Sequence, residues 1–526
     1  MYKQLITLIL PCVILTACGG GGGGGGGSTP TPGGQAPAGP SAQTDFQRGI
    51  FSDESVYKDL CQSPRPATSD IQGTTTDENN WLRAWSHDLY LWYDEITDAD
   101  PAAFSTPEYF DLMKTFATTP TGAPRDRFHF TEDTEEFRQL SQSGISVSYG
   151  ARVTLLSAAP PRSAIIAFVE PGSPADLAGL ARGDRIITID GVDFENGNDV
   201  DTLREGLNPS DDVQSHTWVL TDFDGNNEFT VTMTAQELTR DVVPVSRIIN
   251  NTANGPVGYL YFTDFLQTAE ARLVEVLGGF EAAGVQELVL DLRYNGGGLL
   301  DVANMLASMI AAAGGSGQVF EQSQWNDKHP TIDPVSGRSL DPSTFYAETV
   351  GFSLPRGQAL PQLNLNRVFV LSTSRTSSAS ESVINGLLGI DFPVILIGST
   401  TSGKPYGFYP TDNCGTTYFS IQFRGVNAKG FGDFSDGFIP TEGAIEAFEV
   451  EGCPVDDDYS TQLGDEAESM LATALGYMEL GDCSATPIKL SPNNLASKTV
   501  GIDVPEASAG QILTIDDGIP GAIRSR

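Results

Sequence analysis

The stretch from Val368 to Lys404 constrains this chain more than any other, because it sets two short apolar runs around a hydroxyl-rich turn and a helical segment. Val368-Phe369-Val370-Leu371 is apolar and β-branched-rich, and so reads as a buried strand. It runs into Ser372-Thr373-Ser374-Arg375-Thr376-Ser377-Ser378, after which Ala379, Val383, Leu387 and Leu388 recur at helical spacing to an end near Gly389. Pro393 to Ile397 reads as a second strand, and it delivers Gly398 to Gly403 and then Lys404. A strand–helix–strand crossover of this kind brings a serine and a lysine to the same edge of one sheet. The serines fall at a helix start, where backbone N–H groups have no intrahelical partner. A serine hydroxyl attacks only when a base removes its proton, and a lysine serves as that base only when it is neutral. Pro405-Tyr406-Gly407-Phe408 gives Lys404 apolar, carboxylate-poor neighbours along the chain, which favours the desolvation that neutrality requires.

Ser378-Ala379-Ser380-Glu381, with Gly398 and Gly403-Lys404 after it, resembles the nucleophile and lysine segments of the carboxyl-terminal processing peptidases, also called tail-specific proteases. Asp291-Leu292-Arg293-Tyr294-Asn295-Gly296-Gly297-Gly298, at the end of the apolar run Leu288-Val289-Leu290, resembles that family's DLR-x-N-x-GG motif. The resemblance implies an α/β (α+β) catalytic core of the ClpP/crotonase-like kind, with an N-terminal helical part and an inserted PDZ domain. It implies that Ser378 is the nucleophile and Lys404 the base. Oxyanion donors would come from Ala379 and from the Gly297-Gly298 pair, since adjacent glycines permit close backbone approach to a substrate carbonyl. Many members carry a glutamine four residues after the lysine, and here Phe408 stands there.

Residues 1–17 read as a secretory leader, with Lys3 ahead of an apolar core from Leu5 to Leu15. Leu15-Thr16-Ala17-Cys18 resembles a lipobox, which implies cleavage before Cys18 and a lipid on its thiol. The expected location is then a bacterial cell envelope, at the outer membrane facing the periplasm or the exterior, with the membrane reached through that anchor. Residues 18–45, opening with the glycine run Gly19 to Gly27, read as a flexible tether. Residues 46–142 are expected to form a helical part, with Trp81, Trp85, Leu89 and Trp92 at helical spacing.

Residues 143–238 read as the PDZ domain, on the pattern of Val169 to Ala175, Ala178-Gly179-Leu180, Gly183-Asp184 and Asp190-Gly191. Gly144-Ile145-Ser146-Val147 takes the place of its carboxylate-binding loop. Such a domain engages an extended peptide by strand addition, so protein or peptide substrates with accessible C-termini are the expected partners. Residues 239–483 read as the catalytic core, and 484–526 as an extension with no usable pattern.

A net charge of −38 argues against nucleic acid as a partner. Setting aside Cys12 and Cys18, the remaining Cys61, Cys414, Cys453 and Cys483 are an even set for an oxidising compartment, with three pairings open. Two disulfides are expected, one of them tying the N-terminal part to the C-terminal region. No metal or organic cofactor is implied. Two other readings compete with a Ser-Lys peptidase: a non-catalytic peptide-binding lipoprotein, and a hydrolase whose histidine, His129 or His329, reaches Ser378.

Overall fold

The computed structural model describes residues 46–250, 255–485 and 521–523. The leader, Cys18 and the tether lie outside the described residues, as does most of the 484–526 extension. From Val245 the chain lays down β1 (Val245–Ile249), β2 (Val257–Tyr261), α1 (Ala269–Ala282), β3 (Glu287–Asp291), β4 (Gly297–Leu299), α2 (Leu300–Ala311) and β5 (Val319–Gln324). There follow β6 (Val368–Ser372), α3 (Ala379–Gly389), β7 (Val394–Gly398), β8 (Tyr406–Phe408), β9 (Phe423–Val426), β10 (Ile439–Thr441), β11 (Glu449–Pro454), α4 (Ser469–Leu480) and β12 (Gly521–Ile523).

The main sheet has the order β1-β2-β3-β6-β7-β11-β10. Only the β1/β2 pair is antiparallel. The apolar runs follow from burial on both faces, since alternate residues of one strand enter different cores. Leu288, Leu290, Val368, Val370 and Leu396 pack with α1, α2 and α3. Val289, Phe369, Leu371, Ile395 and Ile397 face α4, through Met470, Leu471, Ala474 and Tyr477. A second sheet runs β4-β12-β8-β9-β5 and ends on Ser343–Thr344.

The N-terminal part holds helices Thr75–Leu89, Thr106–Leu112 and Thr134–Ser143. Trp81 and Trp85 stack with ring centroids 5.2 Å apart, in the core shared with α1 to α3. The aromatic stripe outruns its helix. Tyr90 leaves the helical region (φ −61°, ψ 134°) and its hydroxyl donates to buried Asp126 at 2.6 Å. Trp92 therefore lies past the helix, edge-on to Tyr406. Phe130–Asp133 joins Thr411–Asn413 and Thr416–Phe419 in a three-stranded sheet that ties this part to the core.

The PDZ segment is a sheet ordered Glu228–Thr234, Ser215–Thr221, Arg185–Ile189, Ser163–Val169, Ala151–Ser157 around its own core of Ile166, Ile189, Leu203 and Trp218. Disulfides join Cys61 to Cys414 and Cys453 to Cys483. The first links the N-terminal part to the C-terminal region, as expected.

Candidate active site

β6 ends at Ser372 and the chain turns sharply into α3. The turn is pinned to the loop after β3: the Thr376 hydroxyl donates to the Leu292 carbonyl (2.8 Å) and the Ser377 N–H to the Asn295 carbonyl (3.0 Å). These bonds hold Ser378 at φ +59°, ψ −110°, outside the regions ordinary side chains prefer. A non-glycine residue kept there carries about 1–3 kcal/mol of strain and persists only where its surroundings over-determine it. Ser378 is fully buried, and among the described residues its hydroxyl has no hydrogen-bond partner. At Ser378 an unpartnered buried hydroxyl and a strained backbone coincide.

Glu381, one turn into α3, joins the two halves of that site. Its Oε2 accepts from the backbone N–H of Ser378 (2.7 Å) and of Lys404 (2.8 Å). Its Oε1 accepts from the Thr401 hydroxyl (2.6 Å) and the Gly403 N–H (2.7 Å). One buried carboxylate thus anchors both the serine at the helix start and the loop that carries the lysine. Burial pushes the Glu381 pKa up, against the pull of these donors. Sequence reasoning assigned Glu381 no role, although a Glu three residues after a helix-starting serine is the capping-box signal.

Lys404 is 2% exposed. Burial pushes its ammonium down to about 7, against the opposing charges of Asp126 and Glu381. Its surroundings are thus carboxylate-poor along the chain but not in space, and desolvation outweighs the two carboxylates. Phe408 lies where a glutamine was expected. Its ring centroid is 4.2 Å from Nζ, with that of Phe128 at 4.8 Å, so two aromatic faces confine the amine.

Gly297 and Gly298 adopt φ +107° and +132°. A Cβ on Gly297 would come within 2.9 Å of the Ser378 Cβ and 3.0 Å of the Ala379 nitrogen, so the glycine motif lies directly against the serine turn. The expectation for its N–H needs correction: the Gly297 N–H donates to Asn295 Oδ1 (2.9 Å). An N–H already committed to a neighbouring side chain is not open to a substrate oxygen, and Gly298, the other member of that pair, lies opposite Ala522 of β12. Arg293 sets the loop from below, fully buried with its guanidinium on Asp291 (2.6 Å), Asp457 (2.9 Å) and Glu468 (2.9 Å).

Residues 256–408, which contain Ser378, Lys404 and the glycine motif, match the model of peptidase family S41, and residues 165–210 match that of a PDZ domain. The chain thus carries a peptidase family S41 domain and a PDZ domain. A carboxyl-terminal-processing protease of Picosynechococcus sp. is 27% identical over 269 residues, which are 51% of this chain and 55% of that protein. Carboxy-terminal processing protease CtpA of Bacillus subtilis is 26% identical over 243 residues, 45% of this chain and 44% of its own. The chain thus spans about half the length of these curated relatives. The crystal structure of a putative S41 protease from Bacteroides fragilis is 26% identical with a TM-score of 0.56, covering 80% of this chain and all of that one.

In this protein the segment Gly144-Ile145-Ser146-Val147 is not a loop. Gly144 caps the preceding helix at φ +68°, and Ile145–Ser148 is a strand paired antiparallel with Gln236–Thr239. The turn falls instead at Tyr149-Gly150, because Gly150 supplies φ +77° and a Cβ there would strike Ser173 at 2.3 Å. Ser146 and Val147 nevertheless line a cavity of about 140 Å³ with Gly150, Arg152 and Leu207. Arg152 reaches from the PDZ edge strand to the Tyr294 carbonyl (2.9 Å) and Asp264 (3.1 Å), and Arg182 to Asp457 (2.7 Å).

His129 and His329 contact residues other than Ser378 and Lys404. His129 stacks on Phe110 at 3.8 Å and its Nε2 bonds the Phe110 carbonyl at 2.8 Å, while burial pushes its pKa down to about 4. His329 pairs with Asp88 at 3.2 Å.

Proposed function

We propose that this protein is a lipid-anchored serine endopeptidase of the carboxyl-terminal processing type, hydrolysing extended or unfolded polypeptides with a Ser378–Lys404 dyad. The observation that carries the reading is Glu381, whose Oε2 accepts from the backbone N–H of both residues while burial holds Lys404 down to about 7. At that pKa a large fraction of the amine is neutral near pH 7 and can act as a base.

In the proposed reaction, neutral Lys404 takes the Ser378 hydroxyl proton as Oγ attacks the scissile carbonyl. The Ala379 and Gly298 N–H groups hold the oxyanion, and the Lys404 ammonium returns the proton to the leaving amine. A water molecule then gives its proton to Lys404 and attacks the acyl ester. Collapse breaks the acyl C–Oγ bond, the Lys404 ammonium returns its proton to Ser378 Oγ, and the new carboxyl product leaves. The PDZ cavity beside Arg152 would receive substrate C-termini by strand addition. Cys18 would carry the lipid, placing the enzyme at the outer membrane, facing the periplasm or the exterior.

The test is cleavage of an unfolded model protein by the chain from residue 46 onward, beside Ser378→Ala and Lys404→Ala. Loss of cleavage in both variants, with folding retained, is the expected result; cleavage that survives either substitution overturns the dyad. For the anchor, globomycin-sensitive processing and labelling of Cys18 by a fatty-acid analogue are expected, and an unlabelled, freely soluble mature protein would refute it.

A further inference from the structure

The second sheet contains a strand from the far end of the sequence. β12 runs parallel to β4 on one side, with Gly521 opposite Gly297, Ala522 opposite Gly298 and Ile523 opposite Leu299. On its other side it runs parallel to β8, with Ala522 opposite Gly407 and Ile523 opposite Phe408. Within this sheet, among the described residues, β12 is the only strand that pairs with β4. The walls of this slot are the two segments that build the site. Gly297 in β4 abuts Ser378, and β8 begins two residues after Lys404. β12 thus runs beside the strand whose Gly297 abuts Ser378.

We propose that the corridor between β4 and β8 is a strand-insertion groove for extended polypeptide, and that the chain's own segment Gly521–Ile523 is its resident occupant, holding the enzyme in a self-inhibited state. The proposal rests on the peptidase reading of Ser378 and adds the regulation of that site. Strand addition satisfies main-chain donors and acceptors with little dependence on side chains, so a three-residue segment tethered in cis can fill the groove. Because the segment belongs to the same chain, its insertion is intramolecular and is favoured over that of a free peptide. A competing substrate binds only the fraction of molecules whose groove is open, so occupancy raises KM and leaves kcat unchanged.

The experiment compares the chain from residue 46 with a form ending at Pro520 and with full-length Ala522→Pro, which removes a ladder N–H. Hydrogen exchange and cleavage of an unfolded protein are both measured. Peptides covering residues 297–299 and 406–408 are expected to exchange at least tenfold faster in both altered forms, and KM for cleavage to fall at least tenfold at constant kcat. A synthetic peptide of residues 515–526 added to the shortened form is expected to restore protection and to compete with substrate. Unchanged exchange, or a peptide that neither protects nor competes, overturns the proposal. Faster exchange without cleavage by any form keeps the tail in the groove and overturns the peptidase reading instead.

Discussion

Replacing Lys404 with Met is expected to abolish cleavage and stabilise the fold, a combination that a structural lysine would not give. The fall of its pKa from an ordinary 10.5 to about 7 corresponds to about 5 kcal/mol against burying the ammonium. The contacts of the charged amine with Phe128 and Phe408 return about 1–2 kcal/mol of this. A Met side chain fills the same channel without a charge to desolvate, for a net gain of about 3 kcal/mol at pH 7 or below. For a core of this size the gain is about 6–12 °C in Tm. The pH dependence fixes the sign. Below pH 7 the lysine is protonated in both folded and unfolded chains, so the penalty is full. Between about 7 and 10.5 the unfolded chain binds a proton that the folded one does not, so wild-type stability climbs with pH while the variant gains nothing from this site. The Tm difference should therefore be largest at pH 6–7 and shrink by about 3 kcal/mol in equivalent stability by pH 9. Scanning calorimetry of the catalytic-core transition at pH 6, 7, 8 and 9 measures it. A variant no more stable than wild type at pH 6, or a difference that does not change with pH, would refute the account of Lys404 as a desolvated amine.

Other substitutions probe the same geometry. The rate constant kcat/KM on an unfolded substrate should rise with pH to a plateau with its midpoint near 7, and at pH 5.5 should lie about thirtyfold below that plateau. Glu381→Gln turns one acceptor of a fully used carboxylate into a donor facing donors; each lost bond costs about 1–3 kcal/mol, so calorimetry should show a lower core Tm and kinetics a kcat reduced about a hundredfold. Gly297→Ala puts a Cβ 2.9 Å from that of Ser378 at φ +107°, and should cut kcat/KM at least about a hundredfold with the PDZ transition unchanged. Paired Ala substitution of Cys453 and Cys483 opens a loop with a sequence separation of 30, which should cost about 3–4 kcal/mol in the core transition, read by calorimetry under non-reducing conditions.

What the sequence disclosed depended on how many residues carried each signal. The strands on both sides of the serine turn were legible because two-faced burial demands uninterrupted apolar runs, and Val368 to Leu371 and Val394 to Ile397 meet that demand. The glycines were legible because φ values of +107° and +132° leave few other residues possible. Glu381 was not legible: a carboxylate one turn past a helix start satisfies a local capping pattern, and only the fold shows it also gripping Gly403 and Lys404, 22 and 23 residues on. The same limit applies to Arg293, whose partner carboxylates lie 164 and 175 positions away. The secondary structure of Gly144 to Val147 was not legible, because Ile145–Ser148 reads equally well as loop or strand until Gln236–Thr239 arrives to pair with it. Gly521–Ile523 is the limiting case. Three residues are too few for any periodicity, and a slot lined by β4 and β8 selects backbone rather than side chain, so nothing in Gly-Ala-Ile marks it as a strand. A groove that reads main chain must accept many sequences, and the property that hid the resident strand from sequence reading is the one a peptidase acting on unfolded chains requires.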